Sequence, residues 1–413
     1  MDINSDYTKI TNCRISNSKN IKNIIDLGNH PLANSLKKNS SQFEKKFPLS
    51  LSFCNESSLL QLNETINKEI LFEKYLWVTG TSNAAKIYAE KFVNRVIENT
   101  NLKKNDFILE IASNDGCILE KFIKKGYNNI LGVDPAKNLA EAANDKGIRT
   151  FPEFWNSQIA EQITKDLQNA KVIIARNVIP HVSDILDVIK GINICLEDNG
   201  IGIIEFHNAS TIQQELHYDS IYHEHLCYFS LKSLSYLLNK FNLFPFNVEK
   251  SPISGGSLVI YFKKIKNEVT KNLREMILYE ENIKINEYET WKNFAKKTEE
   301  HKNKTLDLVK NLNNKKIIGY GSSARSQTYL NYCGIDSNTI YSIIDNNEFK
   351  HNLFTPGSSI PIVSFDEGMS LNPEIIFILA WNFKDEIIKQ CLNYGYKGLF
   401  LLPFPNELKL VKI

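Results

Sequence analysis

No stretch of this 413-residue chain approaches the roughly eighteen consecutive apolar residues that a membrane-spanning helix needs. The opening residues, MDINSDYTKITNC, lack an apolar signal core, so a cytoplasmic location is expected. An excess of one charge is also missing: 49 Lys and Arg stand against 47 Asp and Glu, a formal net charge of +2. That balance offers no broad basic surface to nucleic acid or to an anionic membrane, so an anionic ligand must be met locally. The seven cysteines, at 13, 54, 117, 195, 227, 333 and 391, are odd in number and scattered. They do not make a secreted disulfide framework, and reduced thiols are expected. No tandem repeat of solenoid period is present.

A chain of this length exceeds what one core usually serves, and about two or three domains are expected. Residues 1–70 read as a small separate module, with an apolar turn, IIDLGNHPLANS, between Cys13 and Cys54. Over 71–265 a helical pattern (AAKIYAEKFVNRVIE) leads to a strand, FILEIA, a helix, LEKFIKKG, and a strand, NILGVD. Further strands follow at KVIIARNV, GIGIIEFH and SGGSLVIYF. That alternation predicts a doubly wound α/β domain. Residues 266–312 are charged and amphipathic, with Leu273, Ile277, Tyr288, Trp291 and Ala295 at helical spacing, and read as connecting helices. Residues 313–413 begin a second α/β pattern at KKIIGYGSSA.

Within FILEIASNDGCILEKF, an acid, Glu110, ends a strand, a small-residue turn runs to Gly116, and a helix begins. Such a turn lets a ligand approach the backbone, and the helix start presents free N–H groups. Asp134 closes the next strand, eighteen residues beyond Gly116, where a carboxylate can accept both ribose hydroxyls of an adenosine. G-x-G-x-x-G is absent, which disfavours a dinucleotide. S-adenosylmethionine fits better, with Glu110 facing its cationic methionine end and Asn177, at a later strand end, adding polar contacts. His181 is either a core histidine or a second polar group near this cofactor.

Tyr222, His223, Glu224 and His225 form a run that no packing requirement explains. Imidazole, phenol and carboxylate together suit acid–base work near neutral pH. The spacing of His223 and His225 does not match H-E-x-x-H, no third ligand is near, and no metal is expected. In a strand Tyr222 and His225 would face opposite ways, whereas in a turn they share a face, so an irregular turn is expected.

The blocks EIASNDG, GVDPA, NVIPHV, DSIYHEHLCYFS, GGSLVIYF, GYGSSAR, TPGSSIPI and LAWNF, in this order, resemble the S-adenosylmethionine-dependent C-methyltransferases of nucleotide-linked 4-keto-deoxysugars, over almost the full length. The resemblance implies a small zinc-binding-type N-terminal module, a class I methyltransferase Rossmann-like domain and a C-terminal Rossmann-like domain that binds a nucleoside-diphosphate sugar. His225 would be the base that forms an enolate, with Tyr222 and Glu224 orienting it or stabilising the enolate. Glu110, Ala112, Asn114, Gly116, Asp134, Pro135, Asn177 and His181 would line the cofactor. Tyr75, Gly255, Gly256, Tyr320, Arg325 and Lys350 would meet the substrate. His223 is expected to be structural.

The chain also departs from the pattern. Two C-x-x-C pairs are reduced to Cys13 with Ser16 and Cys54 with Ser57, so no tightly bound zinc is expected. His207 stands where proline is common, and Arg325 and Ser326 where lysine and glycine are usual. Two alternatives stay open: an O- or N-methyltransferase on a related nucleotide sugar, and a non-catalytic sugar-nucleotide-binding protein.

Overall fold

The computed structural model describes residues 6–67, 70–71 and 83–412. The N-terminal part holds strands β1 (Tyr7–Lys9), β2 (Ile21–Pro31), β3 (Lys46–Cys54), β4 (Leu60–Leu62) and β5 (Glu64–Ile66). IIDLGNHP is thus mostly strand and not turn. Its glycine is tolerated because the β2–β3 pairing slips register at Asp26/Asn29, where Gly28 adopts φ +85°, and its proline because Pro31 is the last residue of an edge strand. The N-terminal part pairs with the central unit. Its four-stranded sheet runs 2-3-4 and is completed by the short strand Cys227–Tyr228, contributed by the segment just after His225.

The central sheet collects β6 (Ile108–Ile111), β7 (Ile130–Val133), β8 (Thr150–Phe151), β9 (Ala170–Arg176) and β10 (Leu196–His207) in parallel. After β11 (Cys227–Tyr228) come β12 (Phe244–Ser251) and the antiparallel β13 (Ser257–Lys263), giving the order 12-13-10-9-6-7-8. Strands β6 and β7 are buried at every residue, as expected where helices cover both faces of a parallel sheet. Strand order reverses between β6 and β9, so a crevice opens at their carboxyl ends. Glu110 and Asn177 sit at or just beyond those ends, and Asp134 just beyond the end of β7.

Residues 271–282 and 288–311 form two helices. The second buries Trp291, Phe294, Thr298, His301, Thr305 and Val309, a stripe at three- and four-residue spacing. Leu273 is buried as the pattern predicts, but Ile277 is 38% exposed, because that helix turns only a narrow face inward. The second α/β unit has β14 (Ile317–Tyr320), β15 (Ile343–Ile344), β16 (Ile362–Val363), β17 (Ile375–Ile378), β18 (Leu399–Leu402) and β19 (Lys409–Val411), ordered 16-15-14-17-18-19. No helix among the described residues is long and apolar enough to cross a membrane.

His301 fastens the connecting helix on both sides. Its Nε2 lies 2.8 Å from the Pro403 carbonyl, which can only accept, so Nδ1 accepts from the Tyr218 hydroxyl at 2.9 Å. A second fastening is the Asp219 carboxylate, which takes two bonds from Arg325, at 2.9 and 2.7 Å, and one from Trp381 Nε1 at 2.8 Å. The guanidinium also lies over the Trp381 ring. Asp219→Asn keeps the shape and removes the charge, so it is expected to lower unfolding free energy by about 1.5–3 kcal/mol, readable in a urea titration.

Candidate active site

Tyr222 to His225 occupy an irregular turn between the 3₁₀ turn Tyr218–Ser220 and β11. The Tyr222 and His225 rings lie 4.0 Å apart, and the phenol oxygen is 2.7 Å from His225 Nε2. Nδ1 of the same ring is 2.9 Å from the Ser220 carbonyl. A carbonyl cannot donate, so Nδ1 carries the hydrogen and Nε2 accepts from the Tyr222 hydroxyl. Burial, with His181 and Arg325 nearby, pushes the His225 pKa well below the ordinary range, so the imidazole rests neutral. A lone pair on Nε2 is the requirement for a base.

The N-terminal sheet holds this turn in place. His223 Nε2 donates to the Pro48 carbonyl at 3.0 Å, and Leu62 N donates to the Leu226 carbonyl at 3.0 Å. Asn34 Nδ2 donates to Glu224 Oε1 at 2.6 Å. Glu224 therefore meets Asn34 and makes no bond to His225 among the described residues, contrary to an orienting role by direct contact. Its neighbours differ because consecutive side chains of the turn diverge. Burial pushes its pKa up to about 7, against the pull of Asn34. His181, from the 3₁₀ turn after β9, packs its ring 4.7 Å from that of His225, and burial pushes it down to about 4.

At the crevice the backbone is shaped for close approach. Ala112, Asn114, Gly116 and Asn177 all have φ between +51° and +74°. Asp134 fixes the turn: one oxygen accepts from Asn114 N at 2.8 Å and the other from Ala136 N at 2.9 Å. Pro135, between them, is half-buried. Lone pairs remain on the Asp134 carboxylate for a diol. Glu110 is buried, and its Oε2, like Ser113 Oγ and Asp115 Oδ1, has no hydrogen-bond partner among the described residues. Desolvation raises Glu110 to about 8, with Arg176 pulling against it. These buried oxygens fit the ammonium group and ribose hydroxyls of S-adenosylmethionine, and the open helix start fits its carboxylate.

Sequence reading missed Ser113, Asp115 and Arg176. Arg176 Nε donates to Glu205 at 2.7 Å, and Tyr88 and Ser251 hydroxyls bond the same carboxylate, so this buried pair braces β9 against β10 beside Glu110. An arginine ending an apolar strand was the available signal.

Of the proposed substrate residues, Tyr75 lies outside the described residues. Gly255 and Gly256 sit at φ +82° and +130°, and a Cβ on Gly255 would come within 2.7 Å of Trp381. There the two α/β units touch. Tyr320 bonds Asn346 and Gln390, and Arg325 holds Asp219. Lys350 Nζ binds the Ser322 carbonyl and Asp345. Asp345, unnoticed in the sequence, accepts from Ser322 N at 2.8 Å, the same device that Asp134 and Asn114 make in the central unit.

Cys13, Ser16, Cys54 and Ser57 converge: Cys13 Sγ is 3.2 Å from Ser57 Oγ, and Ser16 Oγ is 3.6 Å from Cys54 Sγ. Bonding from Cys13, ahead of the serines, pushes the Cys54 thiol down to about 5, while Cys54 and burial push Cys13 up. Two sulfurs and two hydroxyls do not supply four sulfur or nitrogen ligands. Among the described residues no group of three or more His, Cys, Asp or Glu could hold a metal ion. The purified chain is expected to carry far less than one zinc per molecule by elemental analysis, and a chelator to leave its melting temperature unchanged; one zinc per chain would contradict this.

Three family models match the chain: a zinc binding domain over residues 13–72, a methyltransferase domain over 84–245 and a C-methyltransferase C-terminal domain over 252–405. The C-methyltransferase NovU of Streptomyces niveus is 30% identical over 406 residues, covering 96% of each chain. Solved structures give weaker likenesses. A protein of Pyrococcus horikoshii OT3 aligns at TM-score 0.38 and 13% identity, over 48% of this chain and 99% of that one. Magnesium protoporphyrin IX methyltransferase from Synechocystis PCC 6803 aligns at TM-score 0.33 and 10% identity, over 43% and 79%. By a relative matched over 96% of its length and by its matched domains, the chain belongs to the S-adenosylmethionine-dependent C-methyltransferases, and its cofactor is S-adenosylmethionine.

Proposed function

We propose that the chain transfers a methyl group to a carbon next to the ketone of a nucleoside-diphosphate 4-keto-deoxysugar, through an enolate. The observation that carries this reading is the Tyr222–His225 pair, a neutral imidazole with its Nε2 lone pair turned to a phenol O–H at 2.7 Å. Bound S-adenosylmethionine supplies an electrophilic methyl on a sulfonium, which needs no metal. The protein must then remove one C–H proton and hold the resulting negative charge.

When the ketone arrives, the Tyr222 hydroxyl turns from Nε2 to the carbonyl oxygen, and Nε2 is freed to take the proton. The Ser220 carbonyl keeps the ring in the required tautomer and stabilises the imidazolium that forms. Burial opposes a lone positive charge at His225, but enolate and imidazolium form together, and each offsets the other's desolvation. Tyr222 donates to the oxyanion, and this donation strengthens as charge develops. Glu110, Asp134 and the turn between them hold the cofactor, and the C-terminal unit holds the nucleotide part of the substrate.

Glu224 supports a second reading, because its pKa, pushed up to about 7, suits a general base near neutral pH. The test of function is incubation with S-adenosylmethionine and a panel of 4-keto nucleotide sugars, followed by mass spectrometry. A gain of one methyl on a keto sugar, and none on its 4-hydroxy counterpart, is expected. Methylation of the 4-hydroxy sugar would point to O-methyl transfer and sink the enolate route.

A further inference from the structure

His207 is the last residue of β10, opposite Ser257 and beside the Gly255–Gly256 turn. It is 9% exposed, and its Nε2 is buried without a hydrogen-bond partner among the described residues. The titratable groups that face it are His217, whose ring lies 5.7 Å away, Arg325 and His225. Burial first, then Arg325, keeps this imidazole neutral. An unpartnered buried nitrogen is costly, on the order of 1–3 kcal/mol, and native structures satisfy nearly all such groups. His207 takes no part in the proton transfer described above, yet it lies within electrostatic reach of the proposed base.

A neutral ring nitrogen can be met by a hydroxyl, which both donates and accepts. An ammonium group would instead face the Arg325 guanidinium. We propose that His207 is a specificity-determining residue, whose Nε2 hydrogen-bonds a ring hydroxyl of the sugar, so that the preferred substrate keeps a hydroxyl that a more deoxygenated sugar lacks. This rests on the keto-sugar reading of the same site. The side chain reads the substrate; it does not touch the reacting carbon's proton.

Two nucleoside-diphosphate 4-keto-6-deoxysugars that differ by one ring hydroxyl decide the matter, with kcat/KM measured for the native protein, His207→Leu and His207→Gln. The native protein is expected to favour the hydroxylated sugar by about 100-fold or more, since a site built to bond a hydroxyl rejects its absence. His207→Leu is expected to bring the ratio toward one, mainly through KM, and His207→Gln to retain part of it. Cofactor binding by calorimetry confirms that each variant is folded, and His207→Phe replaces any that is not. A native ratio near one, or an unchanged ratio in folded His207→Leu, overturns the inference while leaving keto-sugar methylation standing. Failure of the native protein to methylate either sugar overturns the functional reading, and this inference with it.

Discussion

His225→Ala is expected to lower kcat for methyl transfer by about 10³-fold while leaving the affinity for S-adenosylmethionine unchanged. A positioned general base contributes on the order of 10²–10⁴ in rate. His225 meets Tyr222, Ser220 and His181, all outside the turn between Glu110 and Asp134. Tyr222→Phe is expected to cost about 10²–10³-fold, the usual penalty for losing one oxyanion donor. The double variant should be little worse than His225→Ala alone, because the two groups act as a unit. Glu224→Gln decides between the readings: with Glu224 bonded to Asn34, a loss of about tenfold or less is expected. A loss as large as that of His225→Ala would make Glu224 the base.

Cofactor affinity should rise with pH up to about 8 and then level off. Glu110 is raised to about 8 by burial, so at neutral pH its carboxyl is mostly protonated in the free protein. A cationic ligand prefers the carboxylate, so binding below pH 8 must release that proton, which costs about 1.4 kcal/mol, or tenfold in Kd, for each unit further down. Glu110→Gln removes this slope and weakens binding by about 10- to 100-fold above pH 8, as expected for a lost charge-assisted contact. The difference between native and variant profiles, measured by calorimetry, isolates Glu110 from the cofactor's own titrating amine. Parallel profiles would show that Glu110 does not face the cofactor's charge.

The sequence made the central unit readable because parallel strands covered on both faces are continuous apolar runs, and their carboxyl ends carry Glu110, Asp134 and Asn177. The turn containing Tyr222 and His225 was readable for a similar local reason: three-residue spacing puts both rings on one face. Long-range pairing was not readable. Nothing local tells that Cys227–Tyr228 completes the N-terminal sheet, or that Asn34 and Pro48 hold Glu224 and His223. Gly28 and Pro31 made β2 look like a turn, since the register slip that absorbs Gly28 depends on β3. Arg325 was expected to meet the substrate; the carboxylate it holds, Asp219, lies 106 residues earlier. Asp345 could have been found, as an acid closing a strand after a small-residue turn.

The most direct measurement uses S-adenosylmethionine carrying a ¹³C-methyl group and the accepted 4-keto nucleotide sugar in D₂O, followed by NMR. Enolisation and transfer to carbon predict a labelled methyl bonded to a ring carbon next to the ketone. With cofactor left out, deuterium should enter that same position, and His225→Ala should abolish this exchange. A labelled methyl attached through oxygen or nitrogen, with no deuterium at the ring carbon, would contradict the account.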